Sequence, residues 1–168
     1  IQLHTDSAPI GNRRLHERLL ALLTRASAMG VLAGAAITQI DAAAVQRVLA
    51  ALHKQGLIGA APVALAPLLK EGPAKLDAAT AERMAASVDQ LVAVLDDSPA
   101  PASEWAPMRA VFGDEALGDL LGIAPASLRR YAAAERATPQ ATAERLHWLA
   151  MVVSDLAGAY SEFGVRRW

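Results

Sequence analysis

The stretch DEALGDLLGIAPASLRRYAAAERATP, residues 114–139, decides how this chain is read. Leu117, Leu120 and Leu121 fall on one side of a short helix. Gly122 follows, where a helix end needs the left-handed backbone that glycine adopts without a steric penalty. Ile123 is an apolar plug after the turn. Pro125 suits the first turn of a new helix, because its fixed φ fits and an N–H there has no intrahelical partner to lose. Leu128 and Tyr131 then face back toward the first helix, which leaves Ser127, Arg129 and Arg130 on other faces. Two short helices joined by a tight glycine-containing turn have the architecture of a helix-turn-helix.

In such a unit the N-terminal part of the second helix enters the major groove of DNA. Ser127 can donate or accept there. Arg129 and Arg130 can pair with phosphate or fork onto guanine O6 and N7. Arg136, just past the helix, suits a backbone phosphate. The alternative is a helix pair that only packs.

Outward from this stretch, apolar spacing predicts further helices. The one downstream runs from about Pro139 to Phe163, with Leu146, Leu149, Val153, Leu156, Tyr160 and Phe163 in an a/d rhythm. That seam either packs on the helix pair or, in part, joins a second copy. A symmetric dimer would set two recognition helices about one DNA turn, roughly 34 Å, apart. Upstream, Leu15, Leu19, Leu22 and Ala26 line a helix from Asn12 toward Met29. Asp41 caps a second helix, striped by Val45, Val48, Leu49 and Leu52 and stopped by Gly56. Residues 56–73 are broken by Gly and Pro into short turns or a single helical turn. Met84, Val88, Leu91 and Leu95 mark a third helix from Asp77 to Leu95. The acidic, proline-rich run from Asp96 to Pro101 is the best domain boundary, with Asp96 and Asp97 read as solvated. The organisation expected is an all-α chain: an N-terminal helical region over 1–98, a candidate for dimerisation, and a second domain over 103–168. Residues 1–11 read as a loose arm.

Composition sets the outer limits. Hydrophobic residues make up 54% of the 168, mostly Ala and Leu, and aromatics only 4%, which favours helices around a buried core. Net charge is −1, so any nucleic-acid binding must come from a local basic face. No cysteine is present, which excludes disulfides and thiolate-bound zinc and fits a cytoplasmic setting. Met29–Ile40 is too short to span a bilayer, and no membrane partner is expected. His4, His16, His53 and His147 are dispersed, and His147 beside Trp148 reads as packing, so no metal is expected. No nucleophile elbow or phosphate loop occurs, so neither enzyme activity nor a cofactor is expected. Residues 42–59 faintly suggest a winged helix offering Arg47, His53 and Lys54 to phosphate, against a plain structural helix.

The run LGDLLGIAPASLRRYAAAERATP resembles the Xre-type helix-turn-helix. Over roughly residues 104–168 the chain resembles Xre/MbcA/ParS antitoxins, the partners of RES-domain toxins. The resemblance implies that Ala126, Ser127, Arg129 and Arg130 lie on the recognition helix and Arg136 on the loop after it. It implies an all-helical antitoxin that forms a homodimer, binds a cognate toxin that degrades NAD, and represses its own operon by binding operator DNA. Two positions depart from the pattern: Ala124 stands where a capping Ser is usual, and Ala134 where Gly is common. In the family GVRRW leads into further residues of the toxin-binding module, so that module is expected to be cut short at Trp168. Arg166, Arg167 and Trp168 remain candidate toxin contacts. Ile1 is not a natural start, so a trimmed chain is expected. The competing expectations are a protein-interaction module without DNA contact, and an orphan repressor with no toxin.

Overall fold

Asn12, Asp41 and Asp77 each stand one residue before a helix. Their side chains accept from the backbone N–H of Leu15, Ala44 and Thr80 at 3.0, 2.7 and 2.9 Å. Each bond satisfies one of the amides that a helix start leaves without a partner. The helices they open are α1 (Arg13–Ala28), α2 (Ala42–Lys54) and α4 (Ala78–Asp96). Between the last two, a 3₁₀ turn (Val63–Leu65) leads into the short α3 (Ala66–Glu71). Then come α5 (Pro101–Leu121), α6 (Pro125–Ala132) and α7 (Gln140–Ala157). This computed structural model describes residues 12–32, 40–59, 62–71 and 76–157, and those residues are helical with no strand. The N-terminal arm, most of the apolar run 29–40, and Tyr160, Phe163, Arg166, Arg167 and Trp168 lie outside the described residues.

The predicted stripes become core. Leu15, Leu19, Leu22, Val48, Leu52, Met84, Val88 and Leu95 are buried in one apolar cluster built from α1, α2, α4 and the segment around Leu65 and Leu68. A second cluster joins α5, α6 and α7 through Trp105, Met108, Leu117, Leu128, Leu146 and Val153. α1 packs on both α4 and α7, and Met151 of α7 touches both clusters. A fully buried Leu contributes about 1.5–3 kcal/mol, so these leucine stripes are the main source of stability.

Of the two alternatives left open for the a/d seam, Leu146, Leu149, Val153 and Leu156 take the intramolecular one, packing within the chain's own second cluster. Other expectations are corrected. Asp96 is not simply solvated. Its carboxylate accepts from Arg25 Nε at 2.7 Å, while Arg25 Nη1 reaches Asp155 at 2.6 Å and so ties α1 to α4 and α7. Pro101 is no longer part of a break. It opens α5, the position in a helix where proline is tolerated. No wing follows α2 among the described residues: the 3₁₀ turn and α3 come next, and His53 Nδ1 lies 3.3 Å from the Ile58 carbonyl. No described helix is long and apolar enough to cross a membrane.

Candidate nucleic-acid interface

α5 is two helices in one. Gly113 has φ 76° and ψ 168°, a conformation that excludes an ordinary side chain, and the helix axis breaks there. Residues 114–121 form the second arm, of about two turns. It ends at Gly122, with φ 67° and ψ 35°. The Ile123 N–H bonds back to the Gly118 carbonyl at 2.9 Å and the Gly122 N–H to the Asp119 carbonyl at 3.1 Å. That pair of bonds is a Schellman cap, and it caps carbonyls that would otherwise be orphaned.

α6 starts three residues later with Pro125 in its first turn. Ala124 makes no side-chain cap, as its sequence position foretold. α6 ends in the same way as the arm before it. Glu135 N–H bonds to the Arg130 carbonyl at 3.0 Å and Ala134 N–H to the Tyr131 carbonyl at 3.0 Å. Here the left-handed residue is Ala134, at φ 56°. A side chain in that region costs roughly 1–2 kcal/mol.

The second arm and α6 meet through small surfaces. A Cβ on Gly118 would stand 2.8 Å from the Ile123 carbonyl oxygen, so the entry to α6 crosses directly over Gly118. The inward face of residues 114–121 is therefore Leu117, Gly118 and Leu121. Leu120, expected on that face, is 52% exposed. Two turns of helix offer only a narrow strip, and α6 covers the Gly118 side of it.

Leu128 and Tyr131 are buried beneath α6, as expected. The Tyr131 ring stacks on Trp105 at 6.3 Å between centroids, and Trp105 Nε1 donates to Thr138 Oγ1 at 3.1 Å. With the underside of α6 fixed, Ala126, Arg129 and Arg130 are exposed and Ser127 is half-buried. Arg130 has no ion-pair or hydrogen-bond partner for its side chain among the described residues. Arg136 is exposed on the following loop, its guanidinium carbon 5.7 Å from the Tyr131 ring centroid.

Arg129 has a partner that the sequence reading missed. Its Nη1 lies 3.5 Å from Asp114 Oδ2. The same carboxylate takes a two-pronged grip from Arg109, with Nε to Oδ1 at 2.6 Å and Nη2 to Oδ2 at 3.1 Å. The Arg109 hydrogen bonds, and then Arg129, hold the Asp114 carboxyl below its ordinary pKa. Spacing of five residues across Gly113 hid the Arg109–Asp114 pair, because an unbroken helix would put those two side chains on different faces. No group of His, Asp or Glu among the described residues could hold a metal ion.

The chain matches no family model, no curated protein and no solved structure.

Proposed function

We propose that the chain is a DNA-binding regulator of the antitoxin type, in which residues 114–132 act as a helix-turn-helix and α6 as the recognition helix. The observation that carries this reading is the outer face of α6. Arg129, Arg130 and the adjoining Arg136 are all exposed on a scaffold whose other face is locked by Leu128 and Tyr131. Over α6 and its following loop, residues 125–139, Arg129, Arg130 and Arg136 stand against the single acid Glu135, so a locally basic face coexists with a net charge of −1 even though Asp114 reaches Arg129 from the preceding arm. Arginine forks suit guanine edges, and guanidinium groups on the flanking loop suit phosphate. The toxin partner, operon repression and the homodimer rest on the resemblance over residues 104–168.

One observation favours a second reading, a protein-interaction module. Trp148 on α7 is 65% exposed and Leu120 52%. An exposed Trp is the kind of side chain that anchors protein contacts. An exposed Trp148 is compatible with an antitoxin that holds a toxin while its α6 faces DNA.

Affinity purification of the full chain from its own cells, with and without nuclease, tests the proposal. The expected result is a stoichiometric small protein that survives nuclease, together with the chain's own promoter DNA. Recovery of promoter DNA alone leaves a repressor without a toxin. Recovery of the protein alone favours the interaction module, and recovery of neither overturns the proposal.

A further inference from the structure

Among the outward arginines of α6, Arg129 alone is tied to a carboxylate. Asp114 is the first residue after the Gly113 break, and its side chain is 24% exposed against 57% for Arg129, so the acid is the more buried of the pair. Arg109 grips that acid from the other side with two hydrogen bonds. One carboxylate at the start of the second arm thus serves two guanidinium groups, one from the first arm of α5 and one from α6.

We propose that Asp114 is a positioning residue for sequence readout: it presets the Arg129 guanidinium for a base edge and damps its attraction to phosphate. This rests on the DNA-binding reading above. A free arginine has much rotamer entropy to lose when it docks, and a tethered one has lost part of it already. The tether uses one Nη1 contact, and the remaining N–H donors of the fork stay open to an acceptor. Non-specific binding depends on net charge near the phosphates, whereas base readout depends on the placement of the fork. A carboxylate beside Arg129 therefore lowers the first and favours the second, and Arg109 keeps that carboxylate from swinging away. Arg130, without such a partner among the described residues, supplies the undamped charge.

The probes are two duplexes of roughly 30 base pairs, about three helical turns. One is the sequence that the wild-type chain enriches from a random library, and the other is unselected. Binding is measured across a salt series for wild type, D114N, R129A and D114N/R129A. The proposal expects D114N to strengthen binding to the unselected duplex, to steepen its salt slope by about one charge, and to shrink the selected-to-unselected ratio about tenfold. In the R129A background the same substitution leaves the ratio unchanged. If D114N acts equally in both backgrounds, Asp114 serves only the fold through Arg109, and the proposal is overturned. D114E retains the charge and guards against a misfolded D114N: its unselected affinity stays within about twofold of wild type, and a larger rise overturns the proposal. A wild-type chain that enriches no sequence defeats the DNA-binding reading itself, which is a separate outcome visible before any variant is made.

Discussion

His147 Nδ1 lies 2.6 Å from Glu104 Oε1, and the two side chains are 7% and 0% exposed. On the far side of the ring, Nε2 donates to the Asp96 carbonyl at 2.9 Å, an atom that can only accept. A proton is therefore fixed on Nε2, and another is held between Nδ1 and Glu104. Glu104 lies in the first turn of α5, where the helix dipole favours an anion. His147 thus joins the end of α4, the start of α5 and the middle of α7 at one buried point.

This pair gives stability a pH dependence. Burial opposes a charge on His147, but the hydrogen bonds to Glu104 and to the Asp96 carbonyl outweigh it and raise its pKa above the ordinary value. The folded state then binds the proton more tightly than the unfolded state. The stabilisation is complete below the unfolded value, about pH 6.5, and is lost as pH rises through the higher folded value. Urea unfolding across pH 5.5–9, a range that brackets roughly pH 6.5, should show wild type losing stability on the alkaline side relative to H147Q. Parallel profiles would refute the assignment. At neutral pH, H147A leaves Glu104 buried without its partner and should cost about 3 kcal/mol.

Ala134 carries a strain that glycine would not. It fills the left-handed position of the α6 cap at φ 56°. Relief of that strain, less the added freedom of glycine in the unfolded chain, should make A134G more stable by about 0.5–1 kcal/mol. Thermal unfolding checks this, and a lower Tm would mean that the loop accepts alanine freely.

Ala124 leaves the start of α6 without a side-chain acceptor. Its backbone, at φ −64° and ψ 141°, already has the extended form of a capping residue. A124S or A124D should therefore stabilise the chain by about 1 kcal/mol. If DNA is read by α6, A124S should also leave the sequence preference intact, because position 124 precedes the helix. A destabilised A124S would show that the hydroxyl has no amide within reach.

The helices were legible in the sequence where one residue type has one good explanation. Asn12, Asp41 and Asp77 announced helix starts, Gly122 a turn, and Leu128 with Tyr131 the buried side of α6. The seam at Leu146, Leu149, Val153 and Leu156 was equally visible, but periodicity says only that a face is covered and not by what. Leu120 misled because a two-turn helix has room for one inward strip and Gly118 took it. The contacts that organise the candidate site depend on long-range geometry. Asp114 meets Arg129 only because Gly122 reverses the chain, and it meets Arg109 only because Gly113 breaks the helix. Glu104 and His147 are 43 residues apart, and nothing local marks them as a pair.

Whether α6 binds DNA through its arginines is decided by the affinity of the full chain for its own upstream DNA across a salt series. Affinity should fall steeply with salt, and R129A/R130A should lose roughly 10–100-fold with a shallower salt slope and unchanged folding by circular dichroism. Binding by R129A/R130A that is as tight and as salt-dependent as that of wild type would contradict it.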